Sequence, residues 1–258
     1  MGQMSAVHLN QSGPIATLHL DNPSKMNAFT LKMLADLAVH LDVIDRNTAI
    51  RAVKITAEGG RAFCTGADIN DWGDLSPAEF ARHWVRDGHR IFDRLARLSK
   101  PTVAVIGGHA FGGGLELAAA CDVRVMASGA SLALPEAGVG IVAGWSGSQR
   151  LLRLLPEPMV KEMALFGNRI KADRAFAAGF VAAVGDDPNA LADALLERAI
   201  TLSPRAVEIS KYMIHAANGE DRSAMIEALG SGAIAASDDR AEGVSAFRDK
   251  RKPTFSGL

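Results

Sequence analysis

Five short β-branched runs, Ile15–Leu20, Ala52–Thr56, Thr102–Ile106, Val123–Met126 and Val181–Val184, are separated by stretches with helical periodicity. That alternation predicts an α/β fold, because strands that return in the same direction need a crossover, usually a helix, between them. Phe29–Ile44 places Leu34, Leu37, Leu41 and Ile44 at spacings of three and four, and Ser76–Leu98 does the same with Phe80, Trp84, Ile91, Leu95 and Leu98. Ser76, followed by Pro77 and Glu79, reads as a capping box with proline at the first helical position. After Asp186–Asp187–Pro188 the chain reads as helix upon helix. A boundary is therefore expected there, with an α/β core over 1–188 and a helical region over 189–258.

With 258 residues and a formal net charge of −1, the chain has no global basic field for nucleic acid, and aromatics at 5% offer few stacking platforms. Cys64 and Cys121 match no zinc or redox spacing. The first eleven residues carry neither a basic region nor an apolar core, Ala6 stands where a myristoylation motif wants Ser or Thr, and no apolar run approaches a membrane span. A cytoplasmic protein with no metal, no nucleic-acid partner and no membrane partner is expected.

Two segments carry the chemistry. HAFGGGLELAAACD sets Glu116 just inside a helix that opens on Gly112–Gly114, and LALPEAG sets Glu136 directly after a proline. A glycine turn at a helix start presents free N–H groups and the positive end of the helix dipole. Glu116 has Leu115, Leu117, Ala118, Ala119 and Ala120 as neighbours, so no fully wet face is open to it. Burial and a second carboxylate would both raise its pKa. An acid and a base in one pocket, beside donors for a developing oxyanion, suit chemistry on a carbonyl compound.

Counting removes several motifs. A dinucleotide fingerprint from Gly112 meets Leu117 where glycine is needed, a P-loop from Gly107 meets Gly113 where lysine is needed, and a nucleophile elbow at Gly144–Trp145–Ser146 meets Ser148. HExxH is absent. FCTGADI reads as a tight turn after the second strand-like run.

The segments NPSKMNAF, FCTGADI, HAFGGGLELAAACD, LPEAGVGIVAGWSGSQRL, NRIKADRAFAAGFVAAV and EGVSAFRDKRKPTF, in that order, resemble the crotonase family of enoyl-CoA hydratases and isomerases. The resemblance implies a spiral of ββα-type units with a C-terminal helical region that builds homotrimers, often paired into hexamers. It implies hydration of an enoyl-CoA thioester to 3-hydroxyacyl-CoA, as in fatty-acid β-oxidation, with coenzyme A as part of the substrate and no separate cofactor. Backbone N–H groups of Ala67 and Gly113 would form the oxyanion hole, Glu116 and Glu136 the catalytic pair, and the Gly144 N–H a water-orienting donor. The turn Ala67, Asp68, Ile69, Asn70 would line the pantetheine path, Lys25 to Ala28 would lie near the adenine, and Lys250 would reach CoA phosphates from a neighbouring subunit. Two glutamates favour a hydratase, since isomerases of the family generally rely on one carboxylate; an enoyl-CoA isomerase or other acyl-CoA lyase of the family, and a non-catalytic CoA-binding paralogue, are the alternatives.

The sequence departs from the family where proline–glycine–small–glycine–glycine is usual. Here it reads Ala143–Gly144–Trp145–Ser146–Gly147. Trp145 is expected close to the acyl group. Ser231 stands where some hydratases offer an aromatic, and His109 and Phe111 are expected to pack.

Overall fold

The structure is a computed structural model that describes residues 5–220 and 222–258. The chain opens on an antiparallel hairpin, β1 (Ala6–Ser12) and β2 (Ile15–Asp21), followed by α1 (Leu31–Arg46). Thr30 caps α1 by accepting from Met33 N, and the helix buries Met33, Leu34, Leu37, Leu41 and Ile44 along one stripe. Next come β3 (Ala52–Ala57), β4 (Ala62–Cys64), the short α2 (Ile69–Trp72), and a helical run made of α3 (Pro77–Glu79), a π-helical stretch (Phe80–Val85) and α4 (Arg86–Ala96). The capping box at Ser76 and Glu79 is present. Then follow β5 (Thr102–Ile106), β6 (His109–Phe111), α5 (Gly113–Ala120), β7 (Val123–Ala127), β8 (Ser131–Ala133), α6 (Gly147–Leu154), α7 (Glu157–Phe166), β9 (Ile170–Lys171), α8 (Ala172–Ala177), β10 (Ala183–Gly185) and α9 (Pro188–Ala199).

From β3 to β8, consecutive strands alternate between two sheets. The larger sheet has the order β1-β2-β3-β5-β7-β10 and is parallel from β2 onward; the smaller has the order β4-β6-β8-β9, parallel except for β9. Each of the pairs β3–β4, β5–β6 and β7–β8 thus gives one strand to each sheet before a helix returns the chain. Repeating that step with parallel neighbours advances the chain as a spiral of ββα units, as expected.

Strand β5 is buried on both faces. Ala104 and Ile106 join the main core, while Val103 and Val105 pack with Val125 against Ala192 and Leu196 of α9. This packing moves the expected boundary. Residues up to Pro204 form one compact unit and Arg205–Leu258 a second. The change of character at Pro188 marks a helix start, with Asp187 capping Ala190 N and proline in the first turn, not the edge of the core. The second unit contains α10 (Pro204–Ala217), α11 (Arg222–Ala235) and α12 (Asp238–Asp249). Its Met213, Ile214, Ile226, Ile234 and Phe247 are all exposed.

FCTGADI is not only a turn. Ala62–Cys64 is a strand, and the turn begins at Thr65. His109 and Phe111 stack at 5.2 Å between ring centroids, and Arg169 lies over Phe111. Among the described residues no helix is long and apolar enough to cross a membrane.

Candidate active site

Helix α5 starts where β6 ends, and its capping residue Gly112 has φ +51° and ψ −126°. A side chain there would meet two obstacles: the positive φ, and Glu136 Oε1 only 2.9 Å from where a Cβ would sit. The Gly113 N–H belongs to the first turn of α5 and has no partner within the helix. Opposite, a parallel bridge joins Phe29 to Ala67, in which Phe29 N donates to Gly66 O and Asp68 N donates to Phe29 O. In that pattern the Ala67 N–H faces away from Phe29. Gly66 and Gly113 meet closely, a Cβ on Gly66 falling 3.3 Å from Gly113 N. The two turns therefore lie side by side, and both line a cavity of about 160 Å³.

Glu116 and Glu136 line the same cavity. Glu116 is 3% exposed, and its Oε1 accepts from Trp145 N and Gly147 N, each at 2.7 Å. Burial pushes its carboxyl up to about 7, against those two N–H groups; the negative Glu136 pushes the same way, and the Arg150 guanidinium opposes it. Arg150 is itself buried and donates to Asp93 Oδ1 at 2.8 Å. Glu136 opens a 3-10 turn (Glu136–Val139). Both of its carboxyl oxygens are buried, and neither has a hydrogen-bond partner in another residue. Burial raises its pKa too, opposed only by its own backbone. The two carboxyls thus differ in kind. Glu116 has two N–H donors from other residues, and Glu136 has only its own backbone.

The remaining wall is apolar, from Ile69, Trp72, Phe80, Trp84, Val85, Val139, Ile141 and Val142. Trp145 forms part of the lining but is 3% exposed. Its Nε1 donates to Trp84 O, and its ring packs on Trp84, Phe92 and Phe29. It wedges between Gly88 of α4 and Gly113 of α5. Gly144 also lines the cavity.

Other expected residues sit less centrally. Asp68 caps α2 and accepts from both Asn70 N and Asn70 Nδ2, while Ile69 is exposed at the cavity edge. The Lys25–Ala28 segment runs beside the turn at Gly66 and Ala67, with Thr65 N donating to Met26 O. Lys25 is exposed and Ala28 buried. Lys250, in the second unit, ends α12 with φ +54°. Gly147, Arg150, Asp93 and Gly88 were not singled out from sequence. An isolated glycine inside a helical pattern is a signal that would have flagged Gly88. Among the described residues no group of His, Cys, Asp and Glu is placed to hold a metal ion.

A family model for enoyl-CoA hydratase/isomerase matches residues 10–257. The chain belongs to that family. It is 34% identical over 251 residues to a crotonyl-CoA hydratase of Syntrophomonas wolfei, covering 96% of each chain. A short-chain-enoyl-CoA hydratase of Clostridium acetobutylicum is 30% identical, with 97% of each covered. Among solved structures, the enoyl-CoA hydratase from Bacillus anthracis superposes with a TM-score of 0.80 at 30% identity, over 98% of this chain and 99% of that one.

Proposed function

We propose that the protein adds water across the 2,3-double bond of an enoyl-CoA thioester to give the 3-hydroxyacyl-CoA. The observation that carries this reading is the unlike pair of buried carboxyls beside one glycine turn. The Ala67 and Gly113 N–H groups hold the thioester oxygen and stabilise the charge it gains as water attacks C3. Glu116, whose anion is favoured by two N–H donors, takes the water proton. Glu136, whose buried carboxyl oxygens have no partner in another residue, gives its proton to C2. One C–O bond forms at C3 and one C–H bond at C2, while one water O–H bond and the C2–C3 π bond break, and proton exchange between the carboxyls resets the pair. The Gly144 N–H orients the water.

Coenzyme A enters as part of the substrate, with no separate cofactor. Its pantetheine runs past Ala67, Asp68, Ile69 and Asn70, its adenine lies near Lys25 and Ala28, and its phosphates meet Lys250 of another copy. Trp145 bounds the space under the acyl group. The exposed apolar side chains of α10 to α12 support a homotrimer, alone or paired into a hexamer. A cytoplasmic role in fatty-acid breakdown fits this chemistry.

The test is loss of the conjugated-thioester absorbance of crotonyl-CoA, followed from pH 5 to pH 9. Because the base must be ionised, kcat is expected to rise through pH of about 7. Binding of crotonyl-CoA without any loss of absorbance at any pH would overturn the assignment.

A further inference from the structure

The two N–H groups that grip Glu116 belong to Trp145 and Gly147, on either side of Ser146. Ser146 has φ +77° and ψ +17°, left-handed backbone that a residue with a Cβ adopts only at a cost. A left-handed residue turns neighbouring N–H groups onto one concave face, which is an anion-binding nest. Here the anion is the carboxylate of Glu116. Something must hold Ser146 in that conformation, and one contact is placed to do so: its Oγ shares a 2.6 Å hydrogen bond with His89 Nδ1, on α4. Ser146 is buried and does not line the cavity, so its hydroxyl is not placed to attack a bound thioester.

We propose that the Ser146–His89 hydrogen bond is a latch that fixes the Trp145–Gly147 loop in the form that grips Glu116, making Ser146 and His89 positioning residues for the reaction. The latch acts on the carboxylate through backbone alone. Glu116 on α5 is faced by Glu136 from the 3-10 turn and by Arg150 from α6, with Asp93 of α4 behind the arginine. His89 reaches it through Ser146. The inference rests on Glu116 being the base of the proposed hydration.

The experiment compares His89→Ala, Ser146→Ala, Ser146→Gly and the double variant His89→Ala/Ser146→Gly in the full chain. Steady-state hydration of crotonyl-CoA is measured across pH. In parallel, the Glu116 carboxyl is titrated by carbon NMR of glutamate-labelled protein, its signal assigned by comparison with Glu116→Gln. With the latch cut, His89→Ala and Ser146→Ala are expected to lose about 10–100-fold in kcat at pH 7 with KM within a few-fold. The acid limb of kcat and the Glu116 titration should both move alkaline by about one pH unit as the N–H donors drift away. Glycine adopts the left-handed form freely, so Ser146→Gly should recover most of the loss. On that background His89→Ala should add nothing. A merely structural histidine would lower stability without moving the limb.

Unchanged kcat and titration in His89→Ala would overturn the latch, as would Ser146→Gly being as impaired as Ser146→Ala. If Ser146→Ala fails to fold, the His89→Ala and double-variant comparison decides the matter. If wild-type protein hydrates no enoyl thioester, the failure belongs to the proposed function, and the titration still decides whether the latch holds Glu116.

Discussion

Glu136→Gln is expected to lower kcat for hydration by about 10²–10⁴-fold, the usual contribution of a positioned proton donor, with CoA-thioester affinity within a few-fold of wild type. The substitution is informative because neither carboxyl oxygen of Glu136 accepts a hydrogen bond from another residue. An amide of the same shape therefore breaks no network, and the loss reads chemistry, not packing. A fall in kcat and kcat/KM by the same factor would show that the missing interaction exists only in the transition state. Turnover close to wild type would remove Glu136 from the reaction and leave a one-carboxylate mechanism. Glu116 alone would then have to take the proton from water and deliver one to C2.

Gly88→Ala is expected to cost about 3 kcal/mol or more, lowering Tm by roughly 6–12 °C in a protein of this size. In an exposed helix the same change would stabilise by about 0.5–1 kcal/mol, so the sign itself is the prediction. A Cβ at this position would fall 2.2 Å from Trp145 Nε1 and 2.5 Å from Cε2. The ring cannot retreat. Trp84, Phe92 and Phe29 pack it at 5.2, 5.1 and 5.9 Å between centroids, and on the far side a Cβ at Gly113 would be only 2.7 Å from Cζ3. Displacing the ring would push on the helix start that carries the proposed oxyanion donor, Gly113 N–H, so activity should fall with stability. Combined with Trp145→Ala, the two losses should sum to less than their parts, because the clash disappears with the ring. An unchanged melting curve for Gly88→Ala would refute the packing.

The larger sheet was legible in the sequence, and the smaller one was not. Thr102–Ile106 was read to the residue, and Ile15–Leu20, Ala52–Thr56 and Val123–Met126 to within one, because buried parallel strands are unbroken β-branched runs. Ala62–Cys64, His109–Phe111 and Ser131–Ala133 are three residues each, too short for any periodicity to register. Strand β1 was missed for another reason: past Leu9 it is polar and mostly exposed. At the site, the burial of Glu116 followed from its apolar neighbours. Its partners did not, since they are backbone N–H groups whose direction depends on a left-handed serine that composition does not announce. The family resemblance supplied the pairing of Glu116 with Glu136, and the structure supplied the difference between them. The change of character at 188 coincides with a capped helix start, and the compact units divide at 204, because a capped helix start and a domain edge carry the same residues.

Keeping Glu116 out of water also weighs on the fold as a whole. An unfolded chain would release this proton at the ordinary carboxylate pKa, whereas the folded one holds it to about 7. Between those values the native state binds more protons than the denatured state, so stability falls as pH rises through that window and stays lower above it. Gln at this position carries no such proton. The Tm of Glu116→Gln should therefore match or trail wild type near pH 4.5 and overtake it by pH 8, and parallel curves would contradict the raised pKa. The residue proposed to activate water is, at the pH where it works, one that the protein would be more robust without.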